Sequence, residues 1–256
     1  VHPGSEISDA IISCAVPVEG NPFEELSASV HWEDLGKGRR GAVLTRVDDV
    51  GDVPVVRTTT RYGNPARRFR AVHERLARRI QEHAGIPVAF NNALVECYSN
   101  SYKKMGSHSD QAIDLADESF IAVFSCYRHP DEGPSRKLIV ASKEDDAQKH
   151  EIPLAHNGVV AFSVAANRRL KHRIVLDAPA RAAGQQWLGV TFRTSKTFLR
   201  YRDGHAYLPE GERLVPADDE RRHEFYRLRR AENEETDFVY PRLTYTVSES
   251  DLIPPV

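Results

Sequence analysis

Between residues 88 and 200 the chain runs through VAFNNALVECY, SFIAVFSCY, RKLIVAS, HEIPLAHNGVVAFSV, LKHRIVLDA and QQWLGVTFRTSKTFL with no helical pattern between them. Each run is apolar or alternating, of strand length, and rich in Val, Ile and Phe; turn material such as HPDEGPS and AANRR separates them. Six or more strands in succession suggest an antiparallel sandwich or jelly roll. The expected fold is therefore mainly β with flanking helices (α+β), a double-stranded β-helix with one amphipathic helix outside.

That helix is expected in NPARRFRAVHERLARRIQEHAGIP, with Asn64 as N-cap, Pro65 at the first helical position and Gly85 just past its end. Phe69, Val72, Leu76 and Ile80 share one face, and the Arg-rich remainder reads as a solvated face. After residue 200, PADDERRHEFYRLRRAENEET reads as a charged helix with few apolar anchors, followed by an extended tail. The expected organisation is a single domain over 1–256: an N-terminal extension or lid (1–55), a core (56–200) and a helical and extended C-terminal appendage (201–256).

Composition narrows the partners. A net charge of −2 lacks the basic footprint of a protein that grips long nucleic acid through many phosphates. No apolar run approaches the roughly 20 residues needed to cross a bilayer, and the first residues lack a secretory pattern. A cytoplasmic protein with a small-molecule substrate is expected, with no membrane partner; the oligomeric state is left open. Cys14, Cys97 and Cys126 form no CxxC pair, so any metal must be held by His and carboxylate.

Two such residues stand in MGSHSD. On an extended segment the side chains of His108 and Asp110 point to the same side, so both can reach one ion. Two His and one carboxylate on one face leave three positions open on a redox-active iron. Alone, HxD is a weak signal in a chain with 11 His. His172, in LKHRIV, follows on a strand, and Arg193, 21 residues further on, has the bidentate fork that suits a carboxylate.

Taken in order, FNNALVECYSNSYKKMGSHSD, SFIAVFSCY, RKLIV, GVVAFSV, LKHRIV and RTSKTF resemble the AlkB-like branch of the Fe(II)/2-oxoglutarate dioxygenases over roughly residues 55 to 200. The resemblance implies His108, Asp110 and His172 as catalytic iron ligands, with Fe(II), 2-oxoglutarate and O2 as cofactor and co-substrates. It implies Arg193 as the clamp for the distal carboxylate of 2-oxoglutarate, Ser195 as its hydrogen-bonding neighbour, and Tyr98 as a donor to the co-substrate. The segment VRTTTRYGN resembles the lid region, making Arg57, Thr58, Arg61, Tyr62 and Asn64 candidate substrate contacts, joined by Gln111 and Ala112 after the metal Asp.

Three positions depart from the family pattern. Glu96 stands where an Asn usually precedes the strand Tyr, Ala112 where base demethylases carry an acidic residue, and Leu199, beside Arg200, where a second Arg is usual. Hydroxylation of a small molecule, such as a free nucleotide or nucleoside in a biosynthetic pathway, is the expected function. Oxidative demethylation of nucleic-acid bases is the alternative, and a non-enzymatic jelly-roll binding module the second alternative.

Overall fold

The computed structural model describes residues 10–145, 149–177 and 184–256. Its strands, in chain order, are β1 Ile11–Ala15, β2 Glu33–Asp34, β3 Arg39–Thr45, β4 Val53–Pro54, β5 Arg67–Arg68, β6 Asn92–Ser99, β7 Phe120–Tyr127, β8 Arg136–Ser142, β9 Lys149–Pro153, β10 Gly158–Ser163, β11 Leu170–Leu176, β12 Gln186–Arg193, β13 Phe198–Arg202, β14 His205–Tyr207, β15 Val215–Pro216 and β16 Tyr245–Thr246. The helices are α1 Phe23–Ala28, α2 Ala71–Ala84, α3 Val164–Arg169 and α4 Asp219–Glu234.

A large sheet in the order β1-β10-β7-β12-β6-β3-β2, with β5 alongside β3, faces a small sheet β11-β8-β9. The long runs of the large sheet are largely apolar because both of its faces are buried. On β12, Leu188, Val190 and Phe192 join one core with Leu76, Ala77 and Ile80 of α2; Trp187 points the other way, into the barrel, with Val123 of β7 and Leu138 of β8. The expected jelly roll with an outer helix is what forms.

Three expectations need correction. Residues assigned to an N-terminal extension supply β1 and β3, paired with β10 and β6 within the large sheet, because Ile12, Cys14, Ala42 and Leu44 complete the outer core. Helix α2 starts at Ala71 rather than beside Pro65. Arg67 and Arg68 pair with Leu44 and Thr45 of β3, and the Arg68 N–H donates to the Val256 carbonyl at 2.8 Å, so tertiary pairing overrides helix propensity there. Its end is as expected: Gly85 adopts φ 64°, the left-handed cap glycine tolerates. The AANRR turn is the short helix α3, capped by Ser163 accepting from the Ala166 N–H at 3.0 Å.

The C-terminal segment is anchored to the barrel. Phe225 of α4 is buried with Leu243, Tyr245 and Val247, and Ile113 of the barrel packs against them. This seats α4 beside the residues that follow the HSD motif.

Candidate metal centre

The HSD segment runs along the free edge of β11. His108 and His172 exchange two backbone hydrogen bonds, at 3.0 and 2.7 Å. Alternation then sends Ser109 away from the barrel, its hydroxyl donating to the Leu170 carbonyl at 2.7 Å, while His108 and Asp110 converge with His172. Asn167 of α3 locks Asp110 from both sides: its Oδ1 accepts the Asp110 N–H at 2.9 Å and its Nδ2 donates to the Asp110 carbonyl at 2.8 Å.

One ligand atom from each of the three side chains lies within 4.8 Å of the others. Asp110 Oδ1 is 3.4 Å from His172 Nε2 and 3.7 Å from His108 Nε2. The second atoms of His108 and Asp110 are engaged elsewhere. His108 Nδ1 lies 2.9 Å from the Gly106 carbonyl, which assigns the ring proton there and leaves Nε2 its lone pair. Asp110 Oδ2 accepts from Arg193 Nε at 2.8 Å and faces Arg193 Nη2 at 2.6 Å, leaving Oδ1 directed at the histidines. The donor set therefore fits an octahedral Fe(II) held on one face.

Protonation states agree with ligation. Burial, and then the neighbouring His172, push the His108 pKa down to about 4, so its imidazole is neutral at pH 7. Burial alone would raise the Asp110 pKa; Arg193 beside it and the hydrogen bond with His172 outweigh this and hold the carboxyl well below the usual range.

The cavity around this cluster has two ends. Toward the surface it is lined by Thr58, Thr59, Thr60, Gln111 and Arg229; inward it continues past Thr191, Leu138 and Ile174 to Arg39, Glu96 and Tyr102.

Several candidate residues sit elsewhere than expected. Arg193 does not reach along the barrel toward a distal carboxylate, because the strand register places it at the metal end, where Asp110 takes its fork. Ser195 is buried, donating to the Val55 carbonyl at 2.5 Å, outside the cavity. Tyr98 donates to Glu96 Oε2 at 2.8 Å. Arg57 is a buried structural residue: Nη2 and Nε meet Asp114 at 2.8 and 3.1 Å, and Nη1 reaches the Leu243 carbonyl at 2.8 Å. Arg61 and Asn64 are exposed and off the cavity wall. Tyr62 is buried over Gly41, its hydroxyl 2.6 Å from where a Cβ at 41 would sit. Of the expected substrate contacts, Thr58 and Gln111 line the cavity. Ala112 does not; its N–H donates to Glu232 Oε1 at 2.8 Å.

That last contact belongs to a helix face that no motif announced. On α4, Arg229 lines the cavity, Glu232 holds the Ala112 N–H, and Asn233 Oδ1 accepts the Ser109 N–H at 2.8 Å. The signal is the i, i+3, i+4 spacing of the three, visible only once the helix has a partner. Burial raises the Glu232 pKa to about 7, although Tyr240 donates to its Oε2 at 2.6 Å.

The family model described as the 2OG-Fe(II) oxygenase superfamily matches residues 29–193, and the chain belongs to that family. Its members use Fe(II), 2-oxoglutarate and O2. Solved structures similar to it include one described as the structure of OsALKBH1, at 14% identity and TM-score 0.49, covering 72% of this chain and 96% of that one. A Pseudomonas putida prolyl-4-hydroxylase is similar at 12% identity and TM-score 0.41, with 75% and 98% covered. None of the curated proteins compared with the chain matches it. Among the described residues no helix is long and apolar enough to cross a membrane.

Proposed function

We propose that the protein is an Fe(II)- and 2-oxoglutarate-dependent hydroxylase of a small, anionic molecule such as a nucleotide, built on an AlkB-like barrel. His108, Asp110 and His172 are the iron ligands in this reading. Bound iron and 2-oxoglutarate supply the oxidising chemistry, coupling decarboxylation of the co-substrate to insertion of one oxygen atom into a substrate C–H bond. The chain's own residues hold and orient. Arg193 fixes Asp110 so that one oxygen faces the metal, Asn167 fixes the backbone beneath it, and α4 walls the mouth against water.

The observation that carries the substrate class is Arg229. It is half-buried on the cavity wall, and its guanidinium makes no hydrogen bond or ion pair among the described residues. A partly desolvated guanidinium without a partner favours a ligand that brings a carboxylate or phosphate. The wall on which it stands is held to the HSD segment by Glu232 and Asn233, which supports a bounded small-molecule mouth over an open groove for a duplex.

The test is a panel of nucleotides, nucleosides, amino acids and methylated oligonucleotides offered with Fe(II), 2-oxoglutarate and O2, scored by succinate formation and product mass. A nucleotide or other small anion gaining one oxygen supports the proposal. Formaldehyde release from a methylated oligonucleotide, with no turnover of the small molecules, replaces it with base demethylation.

A further inference from the structure

Two rims border the mouth of the cavity. One is the extended segment 55–60, whose Thr58, Thr59 and Thr60 line it; the other is α4, which brings Arg229. Each has its own anchor. The Val55 N–H donates to the Thr197 carbonyl at 3.0 Å and the Arg57 N–H to Asp114 Oδ2 at 2.7 Å, while Phe225 seats α4 on the barrel. Beyond α4, Tyr240 comes back to the helix, its hydroxyl donating to Glu232 Oε2 at 2.6 Å.

Gln111 joins the two rims. Directly after Asp110 in the chain, it is 6% exposed and lines the same cavity. The Thr59 N–H lies 2.7 Å from its Oε1. A backbone N–H can only donate, so this contact fixes the polarity of the amide: oxygen toward Thr59, and Nε2 toward the Tyr240 hydroxyl at 3.4 Å. Burial and the neighbouring Glu232 hold the Tyr240 hydroxyl well above its ordinary pKa, so it keeps the proton it gives to Glu232. Glu232 closes the ring through Oε1, which accepts the Ala112 N–H at 2.8 Å.

The links run in one sense, from Thr59 to Gln111 to Tyr240 to Glu232, so each polarises the next. Tyr226 of α4 adds a second tie, its hydroxyl 3.4 Å from the Thr59 carbonyl. Contacts at 3.4 Å are long; Gln111 on Thr59 and Tyr240 on Glu232 carry most of the hold. The Gln111 oxygen is therefore spent on the facing rim and is not offered to the cavity. Because the Asp110 backbone is itself locked by Asn167, the ring refers both rims to the metal segment.

We propose that Gln111 is a positioning residue that sets the width of the substrate mouth, clasping the 58–60 rim and, through Tyr240, the α4 rim to the segment that carries Asp110. Arg229 meets the charge of the substrate, and Gln111 decides where the facing rim stands. This rests on the small-anion reading of the proposed function and adds the device that bounds its mouth.

The experiment has two arms, both on the full chain. In the first, hydrogen exchange of the Thr59 amide is measured with no ligand added. Gln111→Met, which keeps the length and removes both polar atoms, is expected to speed exchange about tenfold, as for the loss of one hydrogen bond. Tyr240→Phe removes a hydroxyl outside the cavity lining and is expected to speed it about threefold, at the low end of the same range. In the second arm, KM is read in the succinate assay with the nucleoside monophosphate or other small anion that the panel selects. The same order is expected, about tenfold and about threefold, with kcat and the 2-oxoglutarate requirement of Tyr240→Phe held at wild-type values. The double variant is expected to fall short of the product of the two, since both act through one network.

A KM raised by Gln111→Met with Thr59 exchange unchanged makes Gln111 a direct substrate contact and overturns the assignment. Faster exchange with KM unchanged makes it a fold residue and overturns it equally. If the wild type turns over no small anion, the small-molecule reading falls and this role in selecting substrate falls with it, while the exchange arm still shows whether Gln111 holds Thr59.

Discussion

The two ends of the barrel interior are built on opposite principles. At the metal end, three acceptor atoms converge, and the second atoms of His108 and Asp110 are satisfied by Gly106 and Arg193. At the far end, Arg39 pairs with Glu96, while Arg136, stacked over Tyr98, keeps a buried guanidinium nitrogen without a partner. One end gathers electron-pair donors around the Asp110 carboxylate, and the other gathers guanidinium groups. A dication would complete the first, and three converging ligand atoms facing inward are an arrangement that a purely structural core has no reason to carry.

The largest effect that sharpens this contrast is expected at Asp110. Asp110→Ala removes a ligand and leaves Arg193 as an uncompensated buried charge, so iron retention after desalting should be lost; retention at the wild-type level breaks the assignment of the metal end. Next is Asn167→Ala, which spares every ligand but frees the Asp110 backbone. Support residues of this kind are worth about 10- to 100-fold in metal affinity, measurable by competition with a chelator, and an unchanged affinity makes Asn167 a fold residue only.

Arg229→Gln tests the mouth against the barrel interior. Its expected effect is a KM for the anionic substrate raised about tenfold, as for one charge-assisted hydrogen bond, with the 2-oxoglutarate requirement unchanged. An equal loss for both would move Arg229 from substrate to co-substrate.

The smallest effect concerns the wall itself. Burial raises the Glu232 pKa to about 7 in the folded protein, above its value in the unfolded chain, so the native state holds this proton more tightly. Its contribution is full below the unfolded pKa of about 4.3 and is lost as pH rises through about 7, amounting to at most a few kcal/mol. Urea melts of Glu232→Gln should therefore show a flatter stability profile between about pH 4.5 and 7 than the wild type; identical slopes would mean Glu232 titrates in the ordinary carboxylate range.

The difference between the two ends also explains what was legible in the sequence. His108 and Asp110 are two residues apart on an extended segment, so their convergence follows from alternation alone. His172 needed only its place on a strand. Arg193 was recognisable as important, but its task depends on which inward row it occupies, and that is set by the register of β12 against β6. Arg39 reaches the cavity only because β3, expected in a lid, closes the large sheet beside β6. Likewise, Glu232 and Asn233 read as a solvated helix face until Phe225 seats α4 on the barrel. Local periodicity announced the strands; pairings between distant segments decided the wall, the far end and the start of α2.

The central claim is that these residues form one Fe(II)/2-oxoglutarate site. It is tested most directly by adding 2-oxoglutarate anaerobically to Fe(II)-loaded protein and recording the visible spectrum. A charge-transfer band that saturates at one equivalent of iron in the wild type and is absent in His172→Ala is the predicted result. A featureless wild-type spectrum, or a band of equal strength in His172→Ala, would contradict it.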